Sequence, residues 1–163
     1  MITQDQVKDL FEYRNGDLYW KVANNKKIKI GNKAGTADFQ GYLRTRINRK
    51  PYLNHRIIFL WHYGYLPQCI DHKDCNPSNN KIENLREATN SQNSCNAKTF
   101  STNTSGVKGV YWSNRDKKWR VTLSLNGRRM YFGCYDNLEQ AKLVIQKARL
   151  KCHGQFANHG EVE

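Results

Sequence analysis

The sequence lacks any run of eighteen apolar residues and any amino-terminal segment of the signal-peptide type. It therefore predicts neither a membrane span nor secretion, and we expect a cytoplasmic protein. Its five cysteines are an odd number and form no Cys-x-x-Cys pair, so the sequence does not predict a disulfide framework. Because only 38% of the residues are apolar, we expect small hydrophobic cores in one domain or two.

Acidic residues are also scarce. The chain has 14 Asp and Glu against 27 Lys and Arg, which gives a formal net charge of +13. Such an excess of positive charge favours a polyanionic partner. Ribosomal or membrane-surface binding is the alternative, but no basic amphipathic helix or apolar anchor supports a membrane partner. The composition therefore favours nucleic acid.

The stretch from Cys69 to Asn96 reads as strand, loop, strand and helix. Its opening is a short buried strand that ends on an acid and an imidazole. An Asn-rich, turn-forming run follows at 74–80, and 82–86 is a candidate returning strand. Thr89-x-x-Gln92 is a capping box that begins a short helix. This order predicts that four dispersed side chains converge: Asp71, His72, Asn84 and Asn93.

These residue types suit the hydrolysis of a phosphodiester. A neutral histidine accepts a proton from water near neutral pH. A hard cation held by one carboxylate and one amide oxygen keeps positions for phosphate and water, as Mg²⁺ prefers. The alternative is that Asp71-His72 is a solvated loop pair and that the Asn cluster only forms turns. Four matching positions and a capping box favour the catalytic interpretation.

The pattern resembles the HNH, or ββα-metal, nuclease motif of phage-encoded and intron-associated homing endonucleases. The resemblance depends on Asp71-His72, on Asn84-Leu85-Arg86 and on Gln92-Asn93. It implies that Asp71 and Asn93 are ligands of one divalent cation, Mg²⁺ or alternatively Mn²⁺. It further implies that His72 is the general base, and that Asn84 steadies the imidazole or ties the loop. The expected products carry 5′-phosphate and 3′-hydroxyl ends.

Three further features of this region have two interpretations each. The His55-Arg56 pair also recurs ahead of Asp-His in this branch of the family. In one interpretation His55 approaches the site or the scissile phosphate. In the other, which we favour, it is a structural histidine. Arg86 contacts phosphate beside the metal or forms a surface salt bridge. The cysteines at 69, 75 and 95 flank the loop but match no common zinc spacing, so buried thiols are favoured over a structural zinc.

The sequence of residues 1–54 predicts a basic, β-rich region. A capping box at Thr3-x-x-Gln6 begins a short helix, and 24–33 is a Lys-rich stretch that would track a phosphate backbone or remain a solvated loop. Alternation in the strand 42–47 places Arg44 and Arg46 on one face, where they can lie along DNA or form an ordinary exposed surface. Asn54 is the predicted cap of the helix 55–63, which Gly64 ends.

Residues 97–105 have the composition of a linker. Three strands are predicted beyond it at 106–111, 118–125 and 128–133, with Asn126-Gly127 as the hairpin turn between the last two. Asn137-x-x-Gln140 begins a helix whose apolar residues follow helical spacing. A three-stranded sheet backed by one helix buries a single hydrophobic layer.

This region resembles the AP2 DNA-binding domain. The residues that carry the resemblance include Gly106 to Val110, Lys118-Trp119, Tyr131-Phe132-Gly133 and His153-Gly154. The resemblance implies that the sheet enters the major groove, which admits a β-ribbon. The implied contacts are Lys108, Tyr111, Ser113, Thr122, Ser124, Arg129 and Tyr131, and strand parity adds Arg120 and Arg128. The alternative is a sheet whose basic residues only confer solubility.

The sequence thus predicts an α+β protein of four segments: a basic β-rich region (1–54), an HNH motif (55–98), a linker (99–105) and an AP2-like domain (106–158). We expect a homing-type endonuclease that acts on double-stranded DNA in a phage-infected or bacterial cell. A DNA-binding regulator with a vestigial nuclease site and a nuclease selective for branched DNA are the alternatives. The sequence leaves open whether the chain is a monomer or a dimer.

Overall fold

The computed structural model describes residues 2–23 and 28–160, and its elements fall into two units, residues 1–88 and 89–163. Each unit has its own hydrophobic core. The described residues form four α-helices and small antiparallel sheets, which confirms the mixed α and β architecture. Of the predicted Lys-rich stretch, Lys26 and Lys27 lie outside the described residues. No helix in the described ranges is long and apolar enough to cross a membrane.

The first unit begins with a helix and a hairpin. The Thr3 hydroxyl accepts from the Gln6 N–H, and the Gln6 side chain accepts from the Thr3 N–H, so the predicted capping box is present. Asn15 and Gly16 both have positive φ in the hairpin turn, as type I′ turns require. The elements are α1 (Gln4–Leu10), β1 (Phe11–Arg14) and β2 (Asp17–Trp20).

A three-stranded antiparallel sheet leads into the second helix. Its strands are β3 (Thr36–Ala37), β4 (Leu43–Ile47) and β5 (Lys50–Leu53), and the helix is α2 (Asn54–Tyr63). The predicted cap is wrong: Leu53 occupies the N-cap position without a side-chain bond. The buried Asn54 amide accepts from the Thr45 hydroxyl and donates to the Ala34 carbonyl. Gly64 ends α2 in the left-handed conformation, as predicted.

Two short strands carry the central motif. They are β6 (Cys69–His72) and β7 (Leu85–Ala88), and they pair with Asp71 opposite Arg86. The predicted returning strand begins later than expected, because Ile82–Asn84 form a 3-10 turn before it. Ile70 and Leu85 anchor the hairpin in the core of the unit. The other fully buried members of that core include Val7, Phe11, Leu18, Ile57 and Ile58.

The second unit contains a three-stranded antiparallel sheet whose middle strand in the chain is also central in the sheet, with a long helix against one face. Val121 and Leu123 of the central strand bury their side chains with Ala141 and Ile145 of that helix. The Asn137 side chain caps the helix by accepting from the Glu139 N–H. The elements are α3 (Asn90–Asn96), β8 (Val110–Ser113), β9 (Lys118–Leu125), β10 (Arg128–Tyr135) and α4 (Leu138–His153).

Strand β8 begins four residues later than predicted. Gly106 and Gly109 have positive φ, and the Ser105 hydroxyl bonds to Val107 and Val110, so the chain turns here rather than extends. A Cβ on Gly109 would lie 2.7 Å from the Thr122 carbonyl oxygen. Only glycine therefore fits this approach to β9.

Helix α3 belongs to the second unit, which differs from the predicted division at residue 98. Its capping box at Thr89 and Gln92 is present, as predicted. Lys108 donates to the carbonyls of Cys95 and Ala97 at its carboxyl end. In the predicted linker 99–105, hydrogen bonds from Thr99, Asn103 and Ser105 tie the chain to the same unit. The Thr99 bond reaches Gly160, far along the chain, whereas the bonds of Asn103 and Ser105 reach Val107 and Val110 nearby.

Candidate active site

Strand β6 delivers its last two residues, Asp71 and His72, into a buried site. Their exposed fractions are 3% and 6%. The strand reads Cys-Ile-Asp-His, so a polar pair replaces the apolar residues that usually end a buried strand. Polar groups in such surroundings need partners, and the first unit supplies them from β7 and from the loop 73–81.

Arg86 on the facing strand holds Asp71. Its Nε and Nη2 atoms both lie 2.7 Å from Asp71 Oδ2. The side chains are 14% and 4% exposed, so this is a largely buried ion pair rather than the surface salt bridge considered from the sequence. The predicted contact of Arg86 with phosphate stays a prediction.

Asn80 holds His72. Its Oδ1 atom lies 3.0 Å from His72 Nε2, and Asn80 is 1% exposed. An amide oxygen only accepts, so Nε2 carries the proton of the neutral imidazole in this arrangement. The remaining ring nitrogen, Nδ1, then has the lone pair that a general base needs.

Asn84 ties the loop. Its amide nitrogen donates to Asp74 Oδ1 at 2.9 Å and to the Asn79 carbonyl at 2.8 Å, while its oxygen accepts from the Asp74 N–H. Of the two roles predicted for Asn84, these bonds match the tying of the loop. The steadying of the imidazole falls to Asn80 instead.

His55 lies beside His72, and its contact with the scissile phosphate stays a prediction. The ring centroids are 5.0 Å apart in an edge-on arrangement, and the Tyr42 ring is 5.6 Å from His55 and 6.0 Å from His72. Burial, followed by the nearby His72 and Arg56, lowers the pKa of His55 to about 3. His55 is therefore neutral near pH 7 and adds no positive charge beside His72.

Acid should destabilise the first unit through His55. Its ordinary pKa of 6.5 falls to about 3 on folding, so below pH 6.5 the unfolded chain takes up the proton first and stability is lost as pH falls. The expected slope is about 1.4 kcal/mol per pH unit. Urea denaturation of wild type and His55→Gln at several pH values between 6.5 and 4 should show a smaller slope for the variant. Equal slopes would contradict a buried neutral His55.

The predicted metal ligands divide between the two units. Asp71 lies in the first and Asn93, on α3, in the second, so their pairing stays a prediction. Within the described ranges, no three or more His, Cys, Asp and Glu side chains come together as a metal cluster. Cys95 is buried and Cys69 and Cys75 are partly buried, all as thiols. One carboxylate with one amide oxygen is a donor set suited to a hard cation such as Mg²⁺.

The exposed face of β4 carries Arg44 and Arg46, as the alternation predicted. Arg44 Nε donates to Asp38 Oδ2 at 2.8 Å, so its guanidinium is engaged in a surface ion pair. Their contact with DNA stays a prediction.

In the second unit, several predicted DNA contacts share the sheet face away from α4. The Arg120 guanidinium lies 5.3 Å from the centre of the Tyr131 ring, and Tyr111 pairs with Arg120 across β8 and β9. Tyr111 and Tyr131 are 40% and 58% exposed. Thr122 and Ser124 of β9 and Arg129 of β10 lie on the same face, and Ser124 and Arg129 are exposed. Arg128 is also exposed, but it pairs with Leu125 and so lies on the α4 face of the sheet, which is a correction to the strand parity assumed for it.

Two predicted DNA contacts have structural partners. The Lys108 ammonium donates to the carbonyls of Cys95, Ala97 and Asn158. The Ser113 hydroxyl donates to Asp116 Oδ2 at 2.8 Å and accepts from the Asp116 N–H, which closes the turn between β8 and β9. Both side chains thus stabilise the unit, and their roles in DNA binding stay predictions.

Sequence reasoning missed Asn80 and Tyr42. Asn80 lay inside a run assigned to turn formation, and its neighbour Asn79 does bond to Asp74 there. What distinguishes Asn80 from the other loop asparagines is its burial, which the sequence does not show. Tyr42 gave no local signal, because its approach to His55 and His72 depends on how β4 packs against the motif.

Comparison with known proteins agrees with this geometry. The HNH endonuclease family model matches residues 52–95, which include β6, β7 and most of α3. Protein 3.8 of Escherichia phage T7 is 44% identical to the chain over 88 residues, which are 54% of this chain and 72% of the relative. No solved structure matches the chain. The predicted HNH domain is confirmed, whereas the AP2 likeness and the homing type stay predictions.

Proposed function

We propose that this chain, which belongs to the same family as Protein 3.8 of Escherichia phage T7 and carries an HNH endonuclease domain at residues 52–95, is a metal-dependent endonuclease of the homing type that cuts double-stranded DNA. The observation that carries the proposal is the buried pair at the end of β6. Asp71 is held by Arg86 and His72 by Asn80, each through a bond near 3 Å or shorter. A general base and a cation ligand both need such a fixed orientation to act.

His72 is the proposed general base. With Nε2–H donated to Asn80, its Nδ1 lone pair accepts the proton of the attacking water. The water oxygen then bonds to phosphorus and the bond from phosphorus to the 3′ oxygen breaks. The 3′ oxygen takes a proton from solvent, so the products carry 5′-phosphate and 3′-hydroxyl ends. His55 remains neutral, so it adds no charge that would oppose protonation of His72.

Asp71 and Asn93 are the proposed ligands of the divalent ion, Mg²⁺ or Mn²⁺. When bound, the ion supplies charge compensation to the phosphoryl oxygens and to the departing 3′ oxygen. Arg86 offsets the negative charge of Asp71. Two protein ligands with a partly neutralised carboxylate make a weak site in the free protein, so the phosphate should strengthen ion binding.

The second unit is the proposed DNA-binding domain. Its sheet presents Arg120 between two exposed tyrosines, and Arg129 is exposed on the neighbouring strand. An antiparallel sheet with such residues fits the major groove. A formal net charge of +13 supplies the attraction to phosphate. A monomer with one site would nick, and a double-strand cut would need two sites or two events.

Incubation of supercoiled plasmid with the protein tests the proposal. We expect relaxed or linear DNA with Mg²⁺ or Mn²⁺ and none with EDTA, because charge compensation is lost without the ion. A plasmid that is bound but stays supercoiled in every metal would contradict the nuclease and support a DNA-binding regulator. A four-way junction run in parallel tests the other alternative, since a branch-selective nuclease would cut it far faster than plain duplex.

A further inference from the structure

Phe39 is 94% exposed, more than any other large apolar side chain that the structure describes. It lies in the turn between β3 and β4 of the first unit. Single exposed apolar residues are common on protein surfaces. This one is distinguished by the order of its turn and by what the turn contacts.

Asp38 holds the turn on both sides of Phe39. Its Oδ1 atom accepts from the N–H groups of Gln40 and Tyr42, each at 3.0 Å, and its Oδ2 accepts from Arg44 Nε. The Asp38 N–H donates to the Tyr42 carbonyl, and the Asp38 carbonyl accepts from the Gly41 N–H. The phenyl ring therefore projects from a backbone that is fixed at both ends.

The same turn packs against the active-site loop. The Ser78 hydroxyl donates to the Gly41 carbonyl at 3.3 Å, and a Cβ on Gly41 would lie 3.2 Å from Pro77. Tyr42 then brings its ring within 6.0 Å of the His72 ring. The turn that carries the exposed Phe39 thus packs against the loop that positions the proposed base.

We propose that Phe39 is a wedge that inserts between stacked base pairs of duplex DNA next to the bond presented to His72. The proposal rests on the proposed function. Apolar side chains inserted at a base step unstack it and kink the duplex. His72 is only 6% exposed, so a smoothly stacked duplex reaches it poorly and a distorted one reaches it better. Arg46 is exposed on β4, next to this turn, and its positive charge complements the negative charge of the phosphates.

Plasmid unwinding tests the wedge without relying on cleavage. Closed circular plasmid is relaxed by a metal-independent topoisomerase in EDTA, in the presence of the full-length His72→Ala protein, and its linking number is read on gels. We expect a lowered linking number, a loss of most of that shift with Phe39→Ala, and a partial shift with Phe39→Leu. The matched control is Tyr63→Ala, since Tyr63 is an aromatic residue that is 52% exposed in the same unit. Phe39→Ala should also weaken binding about tenfold.

An equal shift with Phe39→Ala at saturating protein would overturn the wedge. So would a variant that unwinds normally but no longer self-associates in sedimentation, because Phe39 would then be a protein contact. Unwinding that depends on Phe39, together with no metal-dependent cutting by wild type, would support the wedge and refute the nuclease.

Discussion

His72→Ala should lower the rate of plasmid cleavage about 10²- to 10⁴-fold, while DNA affinity changes little. Removal of the imidazole deletes the group that takes the proton from water but leaves the basic surfaces intact. Cleavage is measured under single-turnover conditions with excess Mg²⁺, and binding by mobility shift in EDTA. The two readouts separate the loss of chemistry from the loss of substrate binding.

His62→Ala is the matched control for this variant. His62 lies on α2 of the same unit, is partly buried, and bonds through Nδ1 to the carbonyl of Ile58 in its own helix. It should bind and cut nearly as wild type. A His72→Ala protein that cuts at the wild-type rate would exclude His72 as the base. Equal losses in both variants would instead point to a damaged fold.

The elements that the sequence predicted well are those set by local chemistry. Both capping boxes, at Thr3 and at Thr89, form as their spacing requires. The Asn126-Gly127 turn has positive φ at both residues, and β9 has the predicted bounds of 118–125. Each of these features depends on residues no more than a few positions apart, so a linear pattern suffices to predict them.

The predictions that were wrong, or that named a neighbouring residue for a role, depend on contacts between distant parts of the chain. Asn54 has the chemistry of a helix cap, but Thr45 and Ala34 engage its amide from other strands. Asn80 and Asn84 are both loop asparagines, and only the packing of β6 and β7 decides which one reaches His72. Lys108 reads as a surface cation, yet carbonyls far along the chain engage it. Side-chain partners of this kind leave no periodic signal in a sequence.

The residues that would carry out the chemistry of the candidate site were more predictable than the residues that hold them in place. Asp71 and His72 follow from the residue types that hydrolysis requires and from the resemblance to HNH nucleases. The buried Arg86–Asp71 ion pair and the His55 ring beside His72 did not follow, because each had a second interpretation of equal or greater weight. Burial decides between those interpretations, and burial is a property of the folded unit.

Arg86→Ala should destabilise the first unit by about 3–5 kcal/mol. It would leave the Asp71 carboxylate, which is 4% exposed, without the guanidinium that faces it. The measurement is urea denaturation of the full chain with pulsed hydrogen exchange, read in peptides from residues 69–88. The same peptides should lose protection at lower urea in the variant than in wild type.

Two controls assign that loss to an uncompensated buried charge. Arg44→Ala breaks an ion pair whose arginine is 50% exposed, so it should cost only about 0–1 kcal/mol. The double variant Asp71→Asn with Arg86→Met removes both charges, and its stability should recover most of the deficit of Arg86→Ala. The double variant should not cleave DNA, because the carboxylate proposed to hold the ion is gone. A double variant no more stable than Arg86→Ala would mean that the arginine stabilises β6 and β7 by packing rather than by its charge.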